Sequence, residues 1–150
     1  MNDHHLTGSI ALPDGTRVRG RGLRRPLPTG KLPDHGLYIG GARFRRKYAD
    51  RLALVWPHEW IDWPDYRLPR DEKQAIASIK ALHEQARAGH RVEVACGGGV
   101  GRTGTVIACM AILAGVPPKE AVAWTRAHYH PRAVETPWQR RWVVHFPTPN

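Results

Sequence analysis

An α/β fold, with a mainly parallel central sheet flanked by helices and a β-hairpin at the N-terminal end, is the architecture this sequence predicts. Three observations carry it. Short apolar runs bounded by Gly, Pro or charge alternate with stretches of helical periodicity, the pattern of strands joined by crossover helices. The segment Thr103 to Ala114 is apolar almost all round and therefore predicts a helix enclosed at the centre of the domain. A Pro-Asp-Gly turn between two β-prone runs predicts the hairpin.

Along the chain, Ser9 to Leu12 and Arg17 to Arg19 flank Pro13-Asp14-Gly15-Thr16 and form the arms of that hairpin. Gly20 to Gly36, rich in Gly, Pro and Arg, reads as an irregular basic segment. Leu37 to Ile39 and Leu52 to Val55 fit buried strands. Asp71 to Ala88 places Ala75, Ile76, Ile79, Leu82 and Ala86 on one helical face, and Gly89 follows as a C-cap. Arg91 to Ala95 reads as a strand that leads, through a short loop, into the apolar helix. Pro117 and Pro118 suit the start of another helix, which Pro131 ends near His130, and a last helix begins after Thr136-Pro137.

The chain has 150 residues, one domain's worth, so residues 1–150 are expected to share one core, with a basic and partly irregular segment over 1–36. Hydrophobic residues make up 41% and charged residues 24%, ordinary values that exclude collagen-like and wholly disordered chains. Two cysteines exclude a disulfide framework. The longest apolar run, Val106 to Ala114, has nine residues, far short of the roughly 20 of a membrane span. The first residues lack the basic start and apolar stretch of a secretory signal, so a cytoplasmic location with free thiols is expected. Net charge is +10, and ten of the 23 Lys and Arg lie between Arg17 and Lys47. Such a surface keeps a protein in solution and attracts anions, and charge alone does not choose between these.

Chemistry concentrates in Cys96-Gly-Gly-Gly-Val-Gly-Arg102, followed by Thr103. Four of the five residues Gly97, Gly98, Gly99, Val100 and Gly101 are glycines, which lets successive N–H groups turn inward as an anion nest. The helix that follows adds unpaired N–H groups and the positive end of its dipole, and Arg102 adds a planar fork matched to two phosphate oxygens. Phosphate or sulfate is the expected ligand of such a cradle. A thiol facing it is favoured as the thiolate, so Cys96 reads as a nucleophile. Cys109, inside the apolar helix, reads as core packing.

Cys96, five residues, Arg102 and Thr103 resemble the signature of the protein tyrosine phosphatase superfamily. That family carries a catalytic aspartate on a Trp-Pro-Asp loop, and Trp63-Pro64-Asp65 lies 31 residues before Cys96. The resemblance covers about Leu37 to Phe146 and implies a phosphatase-like fold. It implies a phosphomonoester hydrolase of protein-tyrosine or dual-specificity type, without metal or other cofactor. In it Cys96 attacks phosphorus to give a phosphocysteine, Asp65 protonates the leaving oxygen and then activates water, and Thr103 donates a hydrogen bond to the sulfur. Pro64 and Pro69 bracket a loop able to close over substrate. Glu135-Thr-Pro-Trp-Gln139 is similar to the segment whose glutamine positions the hydrolytic water, but Thr136 and Gln139 also have capping-box spacing, and both readings of Gln139 stand. Ala95 departs from the family's usual histidine before the cysteine, which implies weaker ordering of the loop.

The expected partner is a phosphorylated protein, with phosphotyrosine favoured and nucleic acid not expected. The loop has no lysine, unlike relatives that act on inositol lipids. The small size resembles dual-specificity or prokaryotic members. A catalytically silent module that holds phosphoresidues or nucleic acid on the same fold is the alternative. Gly99 to Gly104 also matches the dinucleotide pattern G-x-G-x-x-G, but the nearest candidate for its ribose-binding acid, Glu120, falls in a predicted helix. No Cys or carboxylate stands at metal-ligand spacing from His4, His5, His128 or His130 in the sequence.

Overall fold

The computed structural model describes residues 4–48 and 54–148. The hairpin forms as predicted: β1 (Ile10–Ala11) runs antiparallel to β2 (Arg17–Gly22), with Ile10 opposite Val18. Asp14 shapes the turn by accepting hydrogen bonds from the Thr16 amide at 3.0 Å and its hydroxyl at 2.6 Å. β2 extends to Gly22, three residues beyond the predicted arm, and pairs in parallel with β5 (Val92–Cys96). β3 (His35–Gly40) lies on the other side of β5, and β4 (His58–Asp62) closes the edge. The five-stranded order is β1-β2-β5-β3-β4, all parallel except the hairpin.

The strand expected at Leu52–Val55 is corrected. Leu52 lies outside the described residues, Leu54 and Val55 are in no strand, and Val55 is 80% exposed. The strand forms instead at His58–Asp62, where Ile61 is buried and its neighbours are polar or half-exposed. An edge strand buries little, so its sequence carries too few apolar residues to show a period of two. A seven-residue helix, α1 (Ala42–Tyr48), was also not foreseen; it has no fully buried residue and no acidic one.

The strand alternation divides the core in two. Leu37, Ile39, Val92, Val94 and Cys96 point to one face, where α2 (Glu72–Arg87), α3 (Gly101–Leu113), α4 (Ala121–His128) and α5 (Pro137–Val144) enclose the main apolar cluster. α2 begins on the Asp71 side chain, which accepts from the Gln74 amide at 3.1 Å. α3 is buried from Gly101 through Ile112, as its all-round apolar sequence requires.

The opposite face carries Tyr38, Ala95, Leu23 and Trp56 and a buried ionic knot. Glu93 is fully buried and accepts from Arg19 at 2.7 Å, Arg21 at 2.8 Å and the Tyr38 hydroxyl at 2.6 Å. Burial alone would push its carboxyl up. The hydrogen bond and charge of Arg21, with Tyr38 and Arg19, prevail and hold it below the usual carboxylate range. This explains how a strand reading Arg-Val-Arg-Gly-Arg enters a sheet: Arg19 and Arg21 meet their counter-charge on β5, and Arg17 donates to Ser9 across the hairpin.

Candidate active site

β5 ends at Cys96, and the chain turns through four residues into α3. No side chain caps α3 among the described residues, so its first N–H groups stay open toward the loop. Cys96 is 3% exposed, and its Sγ accepts the Gly99 N–H at 3.2 Å and the Thr103 hydroxyl at 3.0 Å. Both donors are aimed at the sulfur from the loop and from α3. The loop's outer carbonyls are taken up by neighbours: the Leu23 amide donates to Cys96 O at 2.8 Å, the Arg24 amide to Gly97 O at 3.2 Å, and the Tyr129 hydroxyl to Gly99 O. Burial, and then the charge of Cys96, push the Tyr129 hydroxyl up, which keeps it a donor. Gly99 has φ +77°, and a Cβ there would meet the Arg21–Gly22 peptide at 2.5 Å, so both conformation and packing exclude a side chain.

Arg102, whose side chain is 7% exposed, donates to the Trp63 carbonyl at 2.6 Å. Its Nε lies 3.5 Å from the Asp65 carboxylate, itself 53% exposed. The two motifs separated in sequence thus meet at one guanidinium. Trp63 is fully buried, packs edge-on against Trp142 at 5.4 Å and donates to the Arg67 carbonyl at 2.6 Å. Tyr66 turns the loop at φ 62°, and the Trp138 indole donates to the Tyr66 carbonyl at 2.6 Å.

Gln139 is fully buried beneath this loop. The capping box is complete: the Gln139 amide N–H donates to the Thr136 hydroxyl at 3.1 Å, and Gln139 Oε1 accepts from the Thr136 amide at 3.3 Å and the Glu135 amide at 3.1 Å. Its Nε2 donates to the Arg67 carbonyl at 3.2 Å. The cap, one of the two sequence readings, is formed, and the same side chain also ties α5 to the aspartate loop.

A family model described as the Swiss Army Knife protein, DSP-PTPase phosphatase domain matches residues 58–143, from β4 through α5 and more than half of the chain. The chain belongs to this family. Protein 067L of Invertebrate iridescent virus 3, whose name assigns it to the tyrosine phosphatases, is 29% identical over 93 residues, which are 57% of this chain and 39% of the viral protein. The chain therefore spans about two fifths of that relative's length. Among solved structures, Tk-PTP in its active form superposes with a TM-score of 0.60 at 20% identity, covering 93% of this chain and 95% of that one. Kinase associated phosphatase with its catalytic cysteine replaced by serine gives 0.59 at 13% identity, with 91% and 90% covered. Both share the fold of this DSP-PTPase domain.

One group in the phosphatase domain escaped the sequence reading. Glu135 packs its carboxylate directly against Gly101, so closely that any Cβ at 101 would collide with it. Burial first, then the charge of Asp65, push the Glu135 carboxyl up against the pull of Arg102, Arg132 and His130. Its signal was its place beside Gln139 in the matched segment, but nothing local says it would face Asp65. Among the described residues no group of three or more His, Cys, Asp or Glu could hold a metal ion, and no helix is long and apolar enough to cross a membrane. Cys109 is fully buried, and burial pushes its thiol well up.

Proposed function

We propose that this DSP-PTPase domain is an active cysteine-dependent phosphomonoester hydrolase, working on phosphoprotein with phosphotyrosine favoured. The observation that supports this most directly is the Cys96 sulfur accepting two hydrogen bonds within 3.2 Å while Asp65 stands 3.5 Å from the guanidinium of Arg102. A nucleophile, an anion cradle and a proton donor then share one mouth.

In this reading the phosphate dianion settles on the loop N–H groups and the α3 N-terminus, with Arg102 across two oxygens. The Cys96 thiolate attacks phosphorus in line, the bond to the leaving oxygen breaks, and that oxygen takes the proton of Asp65. Asp65, now a carboxylate, removes a proton from water as the water oxygen attacks the phosphocysteine. The S–P bond breaks, Thr103 stabilises the returning thiolate, and phosphate leaves. Glu135 stands beside Gly101 at the start of α3, and burial and the charge of Asp65 push its carboxyl up. Gln139 holds the aspartate loop in reach.

Turnover of p-nitrophenyl phosphate and of phosphotyrosine, phosphoserine and phosphothreonine peptides tests the proposal, with Cys96→Ser expected to drop release to background and acid quenching of the wild type expected to trap phosphate on Cys96. Anion binding with no phosphate release would mark a silent module instead.

A further inference from the structure

We propose that Arg24 and Arg25 form a second anion subsite at the rim of the cradle, selecting phosphopeptides that carry an acidic group beside the phosphoresidue. The inference rests on the hydrolase reading for its substrate and on independent geometry for its position.

Residues 23–25 run along the outer edge of the loop, bound to it by the Leu23 and Arg24 amides. Gly97, directly after the nucleophile, leaves a side-chain space empty, and the Arg24 guanidinium fills it: its carbon lies 3.0 Å from where a Cβ at 97 would stand. With consecutive Cα atoms 3.8 Å apart, this puts the guanidinium carbon within roughly 9 Å of the Cys96 Cα. An extended peptide rises about 3.3 Å per residue, so the positions next to a bound phosphoresidue come within its reach. The guanidinium is also supported from below, lying 5.6 Å over the Phe44 ring of α1. Arg25 follows, and its charge acts on Tyr129, which holds the Gly99 carbonyl. Arg45 of α1 continues the rim from its place 5.8 Å over Trp60.

These cations stand apart from the chain's counter-charges. Arg24 and Arg25 are exposed, and among the described residues neither they nor Arg45 has a carboxylate within ion-pair distance. The contrast is with Arg19 and Arg21, five and three residues before Arg24, which are buried against Glu93. Forks without an ion-pair partner beside an anion cradle match carboxylate or phosphate on the same ligand.

Two phosphotyrosine peptides of equal length decide it, one flanked by Glu and one by Gln, with a third carrying a second phosphoresidue as the alternative source of anion. Both kcat/KM on the wild type and affinity for the Cys96→Ser chain are measured. The Glu peptide is expected to win by roughly tenfold at low ionic strength, with the advantage lost in high salt. In Arg24→Gln/Arg25→Gln, which keeps the stem over Phe44, the ratio between peptides should fall to within twofold in both measurements. A ratio near one in the wild type, or one unchanged in the double variant, overturns the subsite, as does a preference for a 5′-phosphorylated oligonucleotide over every peptide. Loss of all turnover with the affinity ratio intact would instead sink the hydrolase reading and leave the rim standing.

Discussion

The two halves of the site are built in opposite ways. On the Cys96 side, Cys96, the loop and Arg102 are continuous in sequence, Cys96 and Arg102 are buried, and the backbone amides of Leu23 and Arg24, just past β2, hold the loop from outside. On the acid side, Asp65 is half in solvent, and its loop is held by side chains: Trp63 on Trp142, Trp138 on the Tyr66 carbonyl, Gln139 on the Arg67 carbonyl. A cradle for a doubly charged group has to be preorganised, because reorienting dipoles during reaction would cost what they contribute. In the proposed reaction Asp65 meets water in one step and a leaving group in the other, a role that a loop anchored at its base and open at its tip would suit.

Substitutions on each side test this division. Arg102→Lys keeps the charge but loses the fork and the bond to Trp63, so it strikes both halves; kcat/KM for p-nitrophenyl phosphate should fall by about 10³-fold. Asp65→Asn strikes the acid side alone. Turnover of p-nitrophenyl phosphate should drop by about 10²-fold, and that of phenyl phosphate by more, because the poorer leaving group depends more on protonation. Equal losses for the two substrates would remove Asp65 from the acid role.

Gln139→Ala removes the side-chain half of the capping box, takes the acceptor from the Glu135 and Thr136 amides and leaves the Arg67 carbonyl to Trp63 alone. A stability loss of about 2 kcal/mol in urea unfolding is expected, with cysteine phosphorylation and its hydrolysis slowed together. Accumulation of phosphoenzyme in this variant would give the glutamine to the water instead.

The smallest effect falls to Glu135→Gln. A carboxyl whose folded pKa is raised binds its proton more tightly folded than unfolded, so stability declines as pH rises from the unfolded value through the raised one. The variant should remove that decline, melting slightly higher than wild type at neutral pH and no higher at acid pH. A lower melting point at neutral pH would assign Glu135 a structural bond that outweighs its charge.

Most of the fold was legible because its elements are marked by local chemistry. The all-apolar run became α3, the spacing of Ala75 to Ala86 became α2, and Pro-Asp-Gly became the hairpin turn. The missed elements lack such marks. β4 buries only Ile61 fully, α1 buries none of its residues completely, and the second half of β2, Gly20–Gly22, reads as part of an irregular basic segment until β5, more than 70 residues away, is laid beside it. In the site, Cys96, Arg102, Thr103 and Asp65 were legible from two short motifs, whereas Glu135 and Arg24 were not, since each draws its meaning from a glycine it touches across the fold.

Local covalent order alone was enough to specify the anion cradle, because seven consecutive residues carry the sulfur, the glycines that free the amides and the guanidinium, and a strand and a helix on either side supply the rest. The distance from Asp65 to Arg102, the burial of Gln139 under the aspartate loop and the pairing of Arg19 and Arg21 with Glu93 arose only on folding. Charge and hydrogen-bond partners far apart along a chain are chosen by packing, and no pattern within a short window records which of many cations or carboxylates will meet.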